Sequence, residues 1–158
     1  GQFFLLSNLV ISGQLGYVNG QYRNVQFDLS GDGVINDVDR ALKLPRLSPW
    51  TYGVGLTYDQ QLGELGTATA RVSFTHRDKA AFTDNNVGFL QGADMLDASL
   101  TLATDNKHWR FSIYGRNLLN EVTIGGDTPL PAAFGGRGAS LSPLIRGRVI
   151  GGEVAISF

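Results

Sequence analysis

The chain closes on V-I-G-G-E-V-A-I-S-F, Val149 to Phe158, and this stretch decides how the rest is read. Ile150, Gly152, Val154, Ile156 and Phe158 share one parity, while Val149, Gly151, Glu153, Ala155 and Ser157 share the other. Successive side chains of a strand point to opposite faces, so the segment is a strand with one apolar and one mixed face. Its apolar face ends on an aromatic ring. An interfacial aromatic girdle of a membrane strand requires a ring at that place.

Working back from this end, the same alternation recurs to give about six segments, each about ten residues long, the length a tilted membrane strand needs. Leu9 to Tyr22 sets Leu9, Ile11, Leu15 and Tyr17 against Ser12, Gln14 and Gly16. Trp50 to Asp59 sets Trp50, Tyr52, Val54, Leu56 and Tyr58 against Thr51, Gly53, Gly55 and Thr57. Thr67 to Arg77 opposes Ala68, Ala70, Val72 and Phe74 to a face carrying Arg71, Ser73 and Arg77. Leu96 to Ala103 and Trp109 to Asn117 repeat the pattern with Leu100 and Ile113 near their centres.

Alternation alone does not say which face is inside, because a soluble sandwich buries the same residues that a membrane barrel turns to lipid. Connection lengths separate the two. Counting from the C-terminus, 118–147 is long, 104–108 short, 78–95 long, 60–66 short and 23–49 long. Long loops at one rim and tight turns at the other are the asymmetry of outer-membrane barrels. Tyr58, Trp109 and Phe158 fall at the short-turn rim, and Tyr17, Tyr52 and Phe74 toward the other, as two membrane interfaces require. The expected fold is all-β: an antiparallel transmembrane β-barrel segment with short periplasmic turns and long extracellular loops. Six strands do not close a barrel, since the smallest use about eight. Residues 1–158 are therefore expected to be the C-terminal part of a longer barrel.

Composition agrees. A net charge of −1 excludes a nucleic-acid partner held by a basic surface, and the absence of cysteine removes disulfides, thiolate metal sites and cysteine nucleophiles. No apolar run approaches the roughly 18 residues of a membrane helix, so any membrane passage rests on strands.

At Trp109 to Glu121 the chain reads W-R-F-S-I-Y-G-R-N-L-L-N-E. This resembles the late strand and N-L-x-N-E loop entry of TonB-dependent outer-membrane receptors. P-W-T-Y-G-V-G-L-T-Y from Pro49, R-V-S-F-T-H-R-D-K from Arg71 and the terminal G-G-E-V-A-I-S-F are similar to that family in the same order. The resemblance implies a barrel of about 22 strands around an N-terminal plug, in the outer membrane of a bacterium. It implies uptake of scarce nutrients of the siderophore, cobalamin or oligosaccharide class. Its implied partners are outer-membrane lipid, the chain's own plug, TonB through a missing N-terminal region, and the barrel-assembly machinery through the terminal strand. The plug and the earlier strands are absent from this sequence.

Within the connection 23–49, Asp28 to Asp39 reads D-L-S-G-D-G-V-I-N-D-V-D. Asp28, Ser30, Asp32, Asn36 and Asp39 stand at positions one, three, five, nine and twelve of an EF-hand or dockerin-like loop, with Val34 offering its carbonyl and Gly33 at the turn. Hard oxygen ligands at that spacing suit Ca²⁺. The bland reading is an acidic surface loop that binds nothing. On the polar strand faces Arg71, Arg77, Arg110 and Arg116 outnumber Asp97 and Glu153, which suits an anionic ligand or, more plainly, charges paired with a plug. Phe82, Asn85, Phe134 and Arg137 lie in the long connections, where ligand contacts concentrate. Arg71 and Arg110 complete the expected ligand-binding set. An enzyme is not expected, because neither His76 nor His108 has an evident serine or carboxylate partner. The competing expectation is a soluble calcium-stabilised β-sandwich that binds carbohydrate.

Overall fold

The computed structural model describes residues 1–105, 108–131, 133 and 139–157. Seven antiparallel strands form its main sheet: β1 (Gln2–Leu6), β2 (Leu9–Tyr17), β3 (Trp50–Gln61), β4 (Thr67–Arg77), β7 (Ala93–Ala103), β8 (Trp109–Arg116) and β11 (Val149–Ile156). They lie side by side in chain order. The expected membrane-type meander is what the chain forms, with one strand more than the six read from alternation. Two small hairpins, β5 (Ala80–Ala81) with β6 (Phe89–Leu90) and β9 (Thr128–Pro129) with β10 (Ser140–Leu141), belong to the long connections.

Register carries the alternation across the sheet. Leu9 faces Tyr58, Ile11 faces Leu56, and Leu15 faces Tyr52. The apolar row continues through Leu56 to Val72, Ala70 to Leu100, Leu100 to Ile113 and Phe111 to Val154. A slip of one residue at any pair would set this row against polar side chains, so the pattern itself fixes the pairing. The polar rows are equally consistent. Ser73 faces Asp97, Thr101 faces Ser112 with their hydroxyls 3.0 Å apart, and Ser112 faces Glu153.

Among the described residues nothing covers the apolar face. Leu15, Ile113 and Ile150 are 73%, 64% and 74% exposed, and the buried hydrophobics among the described residues are Ala80, Ala81 and Leu90, all in the 78–92 connection. A soluble sandwich would bury this face under a second sheet. Here the two further sheets have two strands each. Large apolar side chains lie exposed across the seven-strand sheet, whereas a soluble monomer usually confines such surface to a patch of about 300–600 Å².

Aromatic rings sit at the two rims of this face. Tyr17 and Trp50 pack with centroids 4.5 Å apart and Tyr52 and Phe74 with centroids 6.4 Å apart toward the long-loop rim. Trp109 and Phe111 stack at 6.0 Å toward the short-turn rim, where Tyr58 also lies. Phe158, the expected last member of that belt, lies outside the described residues.

Turn chemistry sets the short rim. Ser7 and Asn8 join β1 to β2, and residues 62–66, with a 3-10 turn at Gly63–Leu65, join β3 to β4. Gly66 closes the latter at φ 112°, and a Cβ there would stand 2.0 Å from the Ala103 carbonyl oxygen, so no other residue fits. The opposite rim carries the long connections 18–49, 78–92 and 117–148.

Candidate functional site

The three long connections pack into one assembly above the sheet. Asn86, in the left-handed region at φ 55°, bridges two of them: its Oδ1 accepts the Lys43 N–H at 2.7 Å and its Nδ2 donates to the Lys43 carbonyl at 2.8 Å. Asparagine suits the position because it tolerates that backbone and its amide mimics a peptide. Beside it the Arg46 N–H donates to the Ala81 carbonyl, and the Arg46 guanidinium lies 4.9 Å from the Phe82 ring centroid. The second and third connections meet at Asp127, whose carboxylate accepts the Phe89 N–H at 3.1 Å and the Ser142 hydroxyl at 3.0 Å. Hydroxyl donation from Ser140, then the Phe89 N–H, then Ser142 hold the Asp127 carboxyl below its ordinary range.

The expected ligand contacts separate into different places. Phe82 is half-buried, under Arg46 and against Gly126, and is part of what holds the loops together. Asn85 is exposed, with its Oδ1 accepting the Val87 N–H at 3.2 Å. Phe134 and Arg137 lie outside the described residues. Arg71 and Arg110 are on the polar face of the wall; Arg110 sits near the short-turn rim, opposite Ala103 and Ala155, away from the loops. Arg77 is occupied, donating to the Gln91 carbonyl at 3.2 Å.

Arg71 does share a groove. An open trough of about 430 Å³ runs over the polar face between Arg71, Ser99, Tyr114, Arg116, Asp97 and Glu153. Arg116 lies 5.6 Å from the Tyr114 ring centroid. Among the described residues neither Arg71 nor Arg116 forms an ion pair, so the trough presents two guanidinium groups beside an aromatic ring. Tyr114 was legible on the polar parity of its strand, but its role in the trough depends on four strands lying side by side.

The 28–39 loop is closed upon itself. Asp39 is fully buried and accepts the N–H groups of Leu29, Ser30 and Asn36 at 2.8, 2.8 and 2.9 Å. Asp28 accepts from Gly31 and Gly33, both at 2.7 Å, and Asp32 from Val34 at 3.0 Å and from the Asn36 amide at 2.9 Å. Gly33 sits at φ 93°, the turn the spacing anticipates. Asn36 then caps the helix α1 (Asp37–Ala41) through the Val38 N–H, with Asp39 completing a capping box. Amide donation, first from Gly33 to Asp28 and first from Asn36 to Asp39, lowers both carboxyls below their ordinary value. Among the described residues no three carboxylate or imidazole groups converge as a metal cage.

Two features escape a reading of the sequence alone. His76, expected to lack a carboxylate partner, has two: Asp94 at 2.6 Å from Nδ1 and Asp78 at 3.0 Å from Nε2. Tyr52 stacks on the ring, centroids 4.5 Å apart. The N-L-L-N-E stretch also has a mechanical role. Asn117 and Asn120, at φ 51° and 57°, fasten the start of the 117–148 connection to its end: Asn117 Nδ2 donates to the Arg146 carbonyl at 3.0 Å, and Asn120 Oδ1 accepts the Arg148 N–H at 3.0 Å.

Comparison with known proteins bears on the fold. No family model matches the sequence, and no curated protein matches it. Among solved structures the chain is similar to the ferric yersiniabactin uptake receptor FyuA from Yersinia pestis, with a TM-score of 0.79 and 13% sequence identity. The match covers 99% of this chain and 22% of that one, so the chain spans about a fifth of the receptor's length. At that identity the likeness is one of fold: these residues fold as an antiparallel β-barrel segment like the matched part of that receptor.

Proposed function

We propose that the chain is wall and outer loops of a TonB-dependent receptor that takes up a scarce nutrient across the bacterial outer membrane. The observation that carries this is the apolar face left open across seven strands, with ring belts at its two rims and all long loops at one of them. The fold match to a receptor named for ferric yersiniabactin uptake supports the siderophore class ahead of cobalamin or oligosaccharide. Arg71 and Arg116 offer two cations to a ferric complex in a trough whose formal charge Asp97 and Glu153 balance. Lipid, a plug filling the barrel, TonB and the barrel-assembly machinery are the partners this role requires. Catalysis has no part in it.

The test uses the full-length protein in its own host. A heat-modifiable species in the outer-membrane fraction, and iron-limited growth on a ferric siderophore that needs both this gene and an energised inner membrane, are the expected results. Recovery in the soluble fraction would favour the carbohydrate-binding sandwich and overturn the proposal.

We further propose that the 28–39 loop takes Ca²⁺ weakly on the cell exterior. Its support is the spacing of Asp28, Ser30, Asp32, Val34, Asn36 and Asp39. Because the carboxylates already satisfy backbone amides, an ion must compete with those bonds, which places affinity no tighter than the roughly 10⁻⁴–10⁻³ M of extracellular modules. Calcium at about 10⁻² M, above that range, should slow protease cleavage of the wild-type loop in the full-length protein by mass action. Asp32→Ala should abolish the calcium effect and leave membrane insertion intact. Equal cleavage of wild type with and without calcium would show a polar turn only.

A further inference from the structure

His76, Asp78 and Asp94 form a cluster that the uptake role does not use. It stands at the long-loop rim: His76 is the penultimate residue of β4, Asp94 faces it from β7, and Asp78 opens the 78–92 connection. Its place is on the apolar parity, outside the polar trough. The imidazole is mostly enclosed, with 23% of the side chain exposed. Tyr52 of β3 covers one ring face. The charged neighbour Arg77 points to the other side of the sheet, where it donates to the Gln91 carbonyl, and Lys79 lies 4.0 Å from the Phe89 ring centroid. The groups facing the imidazole are thus Asp94 from β7, Asp78 from the connection and the Tyr52 phenol ring from β3.

Each ring nitrogen faces a carboxylate oxygen, and an ionised carboxylate only accepts. Holding both contacts therefore takes two bridging protons, wherever along each contact the proton resides. A neutral imidazole between two carboxylates supplies one. The other nitrogen then turns a lone pair toward an oxygen, and two negative charges are left facing each other without a cation between them. Asp94 is fixed by strand register and lies closer, at 2.6 Å, so the longer 3.0 Å contact to Asp78 is the one that gives way. Asp78 matters beyond that contact. Its Oδ2 accepts the Trp50 N–H at 3.1 Å and its own N–H donates to the Trp50 carbonyl at 3.0 Å, so it ties the base of the 78–92 connection to the start of β3.

We propose that Asp94, His76 and Asp78 form a pH-sensitive latch that holds the base of the 78–92 loop to the wall while the extra proton is present and loosens it when that proton leaves. Histidine is the side chain suited to such a change near neutral pH. A metal does not fit the arrangement, since the two carboxylates lie on opposite ring nitrogens. The tip of the loop keeps its ties to Lys43 and Asp127. Loosening is confined to the base, beside Trp50. The proposal rests on the uptake reading only for the statement that this rim faces outside the cell.

Amide hydrogen exchange of the full-length protein in detergent, corrected for intrinsic base catalysis and followed from about pH 5 to 9, tests it. The Trp50 and Asp78 amides of wild type should exchange about tenfold faster at the alkaline end, the scale of one lost charge-assisted bond. His76→Gln keeps a single amide donor and no titrating proton, so its exchange at these amides should be fast and flat with pH. Asp94→Asn can donate to an unprotonated Nδ1, so protection should persist at high pH. A flat wild-type profile, or one that His76→Gln leaves unchanged, overturns the latch. A retained heat-modifiable band in each variant shows the barrel itself is intact, which keeps this outcome separate from failure of the receptor reading.

Discussion

Ile113→Arg should lower the unfolding free energy of the full-length barrel in lipid by about 2–4 kcal/mol, the cost of a charged side chain on the lipid face near the bilayer midplane. Ile113 sits midway along β8, 64% exposed, with Leu100 opposite on one side and Gly152 on the other. No carboxylate stands opposite an arginine there, Asp94 on the same face is held by His76 at the rim, and that rim is several residues away. Its guanidinium must snorkel or draw water into the hydrocarbon. The control is Ser73→Arg. Ser73 lies on the polar face directly across from Asp97 and is open to solvent, so the same side chain gains a cross-strand partner and should cost under about 1 kcal/mol. Equal losses at the two positions would mean that both faces meet the same medium, and the membrane reading would fall with the face assignment.

Much of this wall was legible because a strand's period is two and its register follows from the faces it must match. β1 was less so. Phe3, Phe4, Leu5 and Leu6 are all apolar and mask any alternation, and an irregularity in the pairing between Phe4 and Leu6 shifts the pattern further. The first residues of β7 were hidden for a different reason. Asp94 is a carboxylate on the apolar parity, which reads as loop until His76 is found facing it. Loop architecture was not legible at all. Asn86 and Lys43 are 43 residues apart, and nothing local to either announces the other. The 28–39 loop is intermediate: spacing places its carboxylates and Gly33 in sequence, yet whether their oxygens face an ion or backbone amides depends on a backbone path that spacing leaves open. The resemblance to the receptor family pointed to N-L-L-N-E as a marker, and the geometry supplies its physical reason.

Asn117→Ala should open the 117–148 connection locally by about 2–4 kcal/mol, given about 1–3 kcal/mol for each buried polar group left without a partner. Asn117 is nearly buried, and its side chain makes three bonds: Nδ2 donates to the Glu121 carbonyl at 2.8 Å and to the Arg146 carbonyl at 3.0 Å, while Oδ1 accepts the Glu121 N–H at 2.9 Å. Alanine removes all three. Water reaches the exposed Arg146 residue and softens one of these losses, which keeps the total below the simple sum. Alanine at φ 51° adds backbone strain of about 1–2 kcal/mol that asparagine tolerates better. Asn117→Gly separates the two causes, since glycine takes that backbone freely but restores no bond. Asn117→Asp keeps an acceptor for the Glu121 N–H yet turns an oxygen toward the Glu121 and Arg146 carbonyls, so it should fare little better than alanine. Limited proteolysis of the full-length protein within the connection should quicken about 30-fold or more in the alanine variant, the factor that 2 kcal/mol represents when cleavage follows local opening. The barrel's own unfolding should change far less, because strands β8 and β11 keep their eight paired positions. If glycine restores wild-type resistance, backbone strain alone explains the loss and the side chain does not clasp the loop ends. If neither variant is cut faster, the two ends are held by the sheet beneath them.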